Sequence, residues 1–317
     1  MRPVDSKETA ELLRAADNVL ILTHKNSDGD TLGCGTALCR ALLELGKKAR
    51  IENSDDIPSK YDYMFEGIPE LDFEPDYIVA VDIADTKLLG SKLEVYKDRI
   101  DLCIDHHGSN LEYADNLLLR ADDGAASLTL YRVLKELGTT ITPEIAADLY
   151  TGLSTDTGCF RYSNAGVEEY IAAAELIEAG ADNADINVRM FETKPYAYFE
   201  MLKEVLDGMR LFYDGKVSVL KVTQDMLKRT GATEDQCDAI AALSRQIEGV
   251  KCGVTMKQKK DGTYKFSLRT HEPLDASAIC RLLGGGGHAR AAGCDAGADE
   301  EAALQTMLDY IGRELQK

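Results

Sequence analysis

The sequence predicts an α/β protein of two domains, an N-terminal domain on a parallel, Rossmann-like sheet and a smaller α/β C-terminal domain. Three observations predict it. Short apolar runs alternate with helix-patterned stretches from residue 19 to residue 191, the pattern of a parallel sheet with helices on both faces. That alternation breaks at Thr193-Lys194-Pro195, because the residue before proline is biased away from helix. Beyond the break the chain is richer in strand patterns, and 317 residues exceed the roughly 250–300 at which one core stops growing. The expected domains are 1–192 and 213–317, joined by a helical connector over 193–212.

Taken in order, residues 6–16 pattern as a helix. Val19 to Thr23 is an apolar run short enough for a buried strand, and it ends at His24-Lys25-Asn26-Ser27-Asp28-Gly29-Asp30. Leu38, Ala41, Leu42 and Leu45 then give one helical face, stopped by Gly46. Lys48 to Glu52, Tyr77 to Val81, Ile100 to Ile104 and Leu117 to Arg120 read as further strands. Leu130, Val133, Leu134 and Leu137 form the next stripe, and Pro143 opens a helix at its first turn. That helix carries Ile145, Leu149 and Leu153 on one face and runs into Thr155-Asp156-Thr157-Gly158. Helices are expected over 166–180, 183–191 and 196–208. In the C-terminal part, strands are expected over 216–222, 249–256 and 264–270, the last two flanking an Asp261-Gly262 turn. Helices are expected over 233–245, over 275–283 and from near Asp299.

Composition limits the function classes. No window approaches the ~20 apolar residues of a membrane helix, and the N-terminus shows no apolar signal-peptide core. The eight cysteines are scattered, without C-x-x-C pairs or zinc-ribbon spacing. The chain therefore reads as cytoplasmic, with no membrane partner. A net charge of −19 argues against a long nucleic acid on a broad basic surface, and it suits a protein that collects divalent cations.

Ligands bind beyond the carboxyl ends of parallel strands. Three strand-like runs here end in Asp or His at that position, giving His24, Asp28, Asp30, Asp82, Asp105, His106 and His107, with Asp156 after a helix. Each residue alone has an ordinary structural reading, such as a cap, a turn or a surface histidine. Together they would place several carboxylates at one edge with no compensating cation. Two unit charges 4 Å apart cost about 4 kcal/mol at an effective dielectric of 20. Divalent ions such as Mn²⁺ or Mg²⁺ relieve that cost and suit oxygen and imidazole donors. The donor count fits two ions, an arrangement typical of phosphoester hydrolysis.

Asp105-His106-His107, with His24-x3-Asp28-x-Asp30 upstream, Asp82 between and Asp156 downstream, resembles the DHH phosphoesterase superfamily. Gly284-Gly285-Gly286-Gly287-His288-x2-Ala291-Ala292-Gly293 resembles the signature of its associated DHHA1 domain. The resemblance spans nearly the whole chain and is nearest to the bacterial bifunctional oligoribonuclease (nanoRNase)/PAP phosphatase, NrnA-like, branch. It implies two Mn²⁺ ions, with Mg²⁺ as the alternative. His24, Asp28 and Asp156 would hold one, Asp30 and His106 the other, and Asp82 would bridge. Asp105 would orient a ligand, and His107 would face the phosphate. Ser27, where the family commonly has Pro, and Cys34, where Ser is common, depart from the pattern without replacing a ligand.

The glycine run can expose amides in a concave anion-binding nest. Around it, residues 245–290 carry nine Lys/Arg against four acids. Arg269 matches the family's substrate-contacting arginine, and with Gly285, Gly286, Gly287, His288 and His107 it forms the expected substrate grip. His271 stays unassigned. The resemblance implies an active site in the cleft between the domains, where hydroxide held by two ions attacks phosphorus in line. Short oligoribonucleotides would yield 5′-mononucleotides, and 3′-phosphoadenosine 5′-phosphate would yield AMP. Alternatives are a hydrolase of cyclic dinucleotides or linear pApA and, from another class, a nucleotide-binding regulator with a vestigial site. The expected partners are short RNA oligonucleotides or small nucleotides, with a homodimer left open.

Overall fold

The computed structural model describes residues 1–237 and 240–316, apart from the side chains of 235 and 288. The chain divides into two compact units, Met1–Thr193 and Lys194–Lys317.

The first unit contains β1 (Arg2–Pro3), α1 (Ser6–Ala15), β2 (Val19–Leu22), α2 (Gly29–Glu44), β3 (Ala49–Glu52), β4 (Tyr77–Val81), α3 (Gly90–Leu93), β5 (Leu102–Asp105) and β6 (Asn116–Leu119). Then come α4 (Ala126–Leu137), α5 (Pro143–Asp156), α6 (Val167–Glu178) and α7 (Asn183–Asn187). The six strands form one sheet in the order β1-β6-β5-β4-β2-β3. Every pairing is parallel, so all the carboxyl ends share one edge.

Side chains alternate across this sheet. Val19 and Ile21 of β2 face a core with α1, α2, α4 and α5 residues, whereas Leu20 and Leu22 face a smaller core with Leu89, Leu93 and Ile100. The second face thus carries only short helical turns from Thr86 to Tyr96 rather than full helices. Helices α2 and α5 approach closely because glycines meet there. A Cβ on Gly33 would stand 2.4 Å from the Asp148 carbonyl oxygen, and one on Gly29 would strike the Thr155 side chain.

The second unit holds α8 (Tyr196–Asp207), β7 (Arg210–Phe212), β8 (Val217–Val222), α9 (Gln224–Thr230), α10 (Ile240–Leu243), β9 (Cys252–Gln258), β10 (Tyr264–Thr270), α11 (Ala276–Arg281), β11 (Gly286–His288), β12 (Ala291–Ala296) and α12 (Glu300–Leu315). Its mixed sheet runs β11-β12-β10-β9-β8-β7, with only β8–β9 parallel.

Some elements of this unit differ from the pattern read in the sequence. The helix expected over 196–208 forms as α8, and its Tyr198, Met201 and Val205 are buried with Leu220 and Val222. The helix expected over 233–245 is represented by short pieces at Asp235–Cys237 and Ile240–Leu243, and 238–239 lie outside the described residues. A helix unanticipated from sequence, α9, precedes them, capped by Thr223 and stopped by left-handed Gly231. Among the described residues no helix is long and apolar enough to cross a membrane.

Candidate metal centre

Three strand ends and two helix ends build the site. After β2 the chain turns through His24, whose Nδ1 lies 2.8 Å from the Lys25 carbonyl. A carbonyl only accepts, so Nδ1 carries a proton and Nε2 is the nitrogen turned toward the cluster. Ser27, the departure from proline, ties this turn instead: its hydroxyl donates to the His24 carbonyl and accepts from the Asn53 amide. Asp28 caps α2, with Oδ1 accepting from Asp30 and Thr31 amides at 3.0 and 3.2 Å.

Asp30, buried in the first turn of α2, accepts the Ala126 and Ser127 amides at 2.6 and 2.9 Å. These are unpaired donors at the N-terminus of α4, an end that favours negative charge. Cys34, the other departure, is buried with its sulfur 4.0 Å from Asp30 Oδ1.

Asp82 follows β4 with φ of +59°, a conformation that costs a non-glycine residue roughly 1–3 kcal/mol and clusters at functional sites. Its buried carboxylate faces two imidazoles: Oδ2 lies 3.6 Å from His24 Nε2, and Oδ1 lies 3.6 Å from His106 Nε2. His106, after β5, is held through Nδ1 by the Asp123 carbonyl at 3.0 Å. Its Nε2 also lies 3.6 Å from Asp156 Oδ2 and 3.9 Å from Asp30 Oδ2.

Asp105 is spent differently. Its Oδ1 accepts the His106 amide, the His107 amide and His107 Nδ1 at 2.8, 3.2 and 2.8 Å, and its Oδ2 accepts the Asn110 amide at 2.6 Å. Burial works against its charge, yet these bonds hold its pKa below the usual carboxylate value.

Ligand atoms gather in three groups: His24, Asp28 and Asp82; Asp30, His106 and Asp156; and Asp82, His106 and His107. Ligands ~2.1 Å from one small cation stand about 3–3.5 Å apart, close to the separations seen. The third group fails on proton placement. His107 Nδ1 donates to Asp105 and has no lone pair for a metal, so its Nε2 is the nitrogen left to act.

Asp82 belongs to the first group, its Oδ2 facing His24, and its Oδ1 lies 3.6 Å from His106 Nε2 of the second. In the structure the Asp156 carboxylate lies with Asp30 and His106 rather than with His24 and Asp28. The close α2–α5 crossing puts the last turn of α5 on the His106 side.

Electrostatics supports cations here. Within the first unit, the ion-pair partners of Asp28, Asp30, Asp82 and Asp156 are imidazoles. Asp82 Oδ1 and His106 Nε2 are buried without a hydrogen-bond partner, a costly condition for both that a cation between them removes.

Without cations the cluster holds protons instead. Burial and the Asp30 charge push Asp156 up to about 7. Burial and Asp30 likewise raise Asp82 well above its ordinary value. His24 is opposed by burial, but its bonds to Asp28 and Asp82 push it up to about 11. The Asp105 hydrogen bond raises His107 to about 9. The residues present fit a pair of divalent ions.

In the second unit, Arg269 sits half-buried on β10, with Nη1 donating to the Leu268 carbonyl at 3.1 Å. The glycine run differs from the expected open nest, because Gly286–His288 pairs as a strand with β12. A Cβ on Gly285 would lie 2.2 Å from the Gly293 carbonyl oxygen, so glycine permits this close approach. Arg269 aligns with Ala291, and Ala291 with His288, in one cross-strand row. The His288 side chain lies outside the described residues. His271 Nε2 is 3.3 Å from the Arg245 carbonyl.

Four supports escaped sequence reading: Asn110, Asp123, the Ala126–Ser127 amides and the glycines between α2 and α5. The spacing Gly29-x3-Gly33 is the signal that could have revealed the last.

Comparison with known proteins places these observations in a group. The model of the DHH family, N-terminal domain, matches residues 18–153, and that of the DHHA1 domain matches 214–317. The bifunctional oligoribonuclease and PAP phosphatase NrnA of Thermus thermophilus is 31% identical, over 97% of this chain and 94% of that protein. The protein of the same name from Bacillus subtilis is 23% identical, over 92% and 94%. Among solved structures, an exopolyphosphatase-related protein from Bacteroides fragilis superposes with a TM-score of 0.88 at 20% identity, over 97% of this chain and 95% of that one.

Proposed function

The chain belongs to the DHH family and carries the DHHA1 domain, and from that premise we propose that it is a metal-dependent phosphoesterase for short oligoribonucleotides and for 3′-phosphoadenosine 5′-phosphate. The observation that carries the metal reading is the pair of ligand groups meeting at Asp82, whose two oxygens each face a different histidine Nε2 at 3.6 Å. The substrate reading is supported by the Thermus thermophilus relative, named for both activities and matched along 97% of this chain.

In this reading His24, Asp28 and Asp82 would hold one ion, and Asp30, His106 and Asp156, with Asp82, would hold the other. Mn²⁺ is the favoured metal, with Mg²⁺ second. When bound, two such ions would supply an activated nucleophile at neutral pH and would neutralise charge on the reacting phosphate. The chain's residues do the rest. His107, its Nδ1 proton fixed on Asp105, turns Nε2 to the substrate and donates to a non-bridging phosphoryl oxygen as charge develops there. Asp105 keeps that tautomer and orientation, helped by Asn110. Asp30 stays put because two amides of α4 hold it. Arg269, Gly285, Gly286, Gly287 and His288 are assigned the nucleotide's flanking phosphate and sugar. The leaving group is the 3′-oxygen of the neighbouring nucleotide, giving 5′-mononucleotides. The same line of attack on 3′-phosphoadenosine 5′-phosphate releases inorganic phosphate and AMP.

A turnover panel tests the assignment: RNA dinucleotides, 3′-phosphoadenosine 5′-phosphate, linear pApA and cyclic di-AMP, each with Mn²⁺, Mg²⁺ or chelator. The first two should be hydrolysed with Mn²⁺ and spared with chelator. Preference for cyclic di-AMP or pApA would move the substrate assignment, and nucleotide binding without any turnover would replace the enzyme by a regulator.

A further inference from the structure

His106 presents Nε2 to the ligand group only while its Nδ1 proton stays on the Asp123 carbonyl (3.0 Å). That carbonyl lies in the segment 120–127, which also supplies the Ala126 and Ser127 amides to Asp30. One short stretch of backbone therefore sets two members of the Asp30–His106–Asp156 group.

The Asp123 side chain holds this stretch in place. It is 5% exposed and accepts Arg132 Nη1 on both oxygens, at 2.5 and 2.6 Å. Thr129 Oγ1 donates to it at 2.8 Å, and Arg120 Nε lies 3.2 Å from Oδ2. Its own amide closes a turn on the Arg120 carbonyl at 3.0 Å. Thr129 and Arg132 are three apart on α4 and so share a face. Helix α4 thus receives Asp30 at its N-terminus and grips Asp123 one turn later.

The next residue is pinned from the other side. The Gly124 amide donates to the buried Glu169 at 2.8 Å, and its carbonyl accepts from Asn164 at 2.9 Å. Glu169 also takes the Gly166 amide at 2.8 Å, tying the start of α6 to the same loop. Asp123 belongs to none of the three ligand groups, and its carboxylate is engaged by Arg132, Thr129 and Arg120.

We propose that Asp123, gripped by Arg132 and Thr129, is the positioning residue for the Asp30–His106–Asp156 side of the centre. It acts through its backbone carbonyl on His106 and through the adjoining turn on Asp30. The inference rests on the two-ion reading above. The other ion depends on His24, which the Lys25 carbonyl orients independently at 2.8 Å, so loosening Asp123 should affect one ion and spare the other.

The test is Mn²⁺ binding to the metal-free full chain and to Asp123→Asn and Thr129→Val. Calorimetry gives stoichiometry and affinity, and electron paramagnetic resonance reports whether the ions are coupled. Outer partners of metal-binding histidines are worth ~10–100-fold in affinity. Asp123→Asn should weaken one ion by about that factor and leave the other unchanged, and the coupled-pair signal should give way to that of isolated ions. Thr129→Val, a near-isosteric loss of one hydrogen bond, should weaken the same ion several-fold with little change in metal-free melting. Excess Mn²⁺ should restore turnover in both variants at unchanged substrate KM. Unaltered binding of both ions in Asp123→Asn and Thr129→Val would overturn the proposal, as would equal weakening of both ions. No Mn²⁺ uptake by the parent chain would overturn the metal reading itself, and this proposal with it. If Asp123→Asn does not fold, the Thr129→Val outcome decides.

Discussion

Gly152→Ala tests whether the glycine contact between α2 and α5 sets the position of Asp30. An alanine Cβ at 152 would stand 2.7 Å from Asp30 Oδ1 and 2.9 Å from both Cβ and Oγ of Ser127, well inside the ~3.5 Å at which such atoms meet without strain. The carboxylate must retreat by roughly 0.5–1 Å, yet its oxygens are fixed by two amides at 2.6 and 2.9 Å. Overpacking costs about 1–3 kcal/mol, and alanine returns roughly 0.5–1 kcal/mol of helix propensity. The net loss, about 0–2.5 kcal/mol, lowers metal-free melting by up to several degrees in a unit of this size. Displacing a catalytic group by about 1 Å costs on the order of 10²-fold in rate. The assay pairs the melting temperature of chelated protein with Mn²⁺-dependent turnover of an RNA dinucleotide. Gly208→Ala, whose Cβ would meet nothing closer than 3.5 Å, is the control and should leave both unchanged. Gly152→Ala with parental turnover would refute the argument that helix packing sets the metal geometry.

Three further outcomes are expected. His107→Gln should lower kcat by roughly 10²–10³-fold, the scale for losing a charge-stabilising donor, while uptake of two Mn²⁺ ions is kept; loss of an ion by calorimetry would make His107 a ligand. Mn²⁺ uptake should release protons, because Asp156 at about 7 and His24 at about 11 must deprotonate to bind. Affinity contributed by each ligand is complete above its metal-free pKa and declines as pH falls through it. From pH 8 to pH 6 it should therefore drop about tenfold per unit for each proton displaced, and binding heats that do not depend on buffer ionisation enthalpy would contradict this. Cys34→Ser should keep turnover within about twofold and cost under ~1.5 kcal/mol, since the change is small and the thiol packs beside Asp30 without ligating it; a large rate loss on the same dinucleotide assay would give Cys34 a role in the centre.

The first sheet was legible because its strands are buried on both faces and so appear as compact apolar runs. Tyr77–Val81 emerges with the bounds read from sequence. The two-residue β1 is invisible to any periodicity, and β7 carries only three residues.

In the second unit, β11 and β12 are glycine- and alanine-rich, poor in strand propensity. They exist because glycine lets two backbones approach, a tertiary cause that local pattern does not carry. The helix α9 had readable signals in Thr223 and Gly231, yet its span is only seven residues and shows no long apolar stripe.

For the site, residue types and strand ends revealed which side chains assemble. Their partition between two groups needed coordinates, because the side to which Asp156 is delivered depends on how α5 crosses α2. The separate tasks of Asp105, His106 and His107 likewise turn on which acceptor holds each Nδ1 proton.

The central claim is that Asp82 joins two cations into one hydrolytic centre. The most direct measurement is the Mn²⁺-dependent release of 5′-mononucleotides from an RNA dinucleotide by the parent chain and by Asp82→Ala, with folding of both verified by circular dichroism. The account predicts turnover in the parent that chelator abolishes and Mn²⁺ restores, and a loss of at least ~10³-fold in the folded variant. Full activity in folded Asp82→Ala, or parent turnover indifferent to chelator, would contradict it.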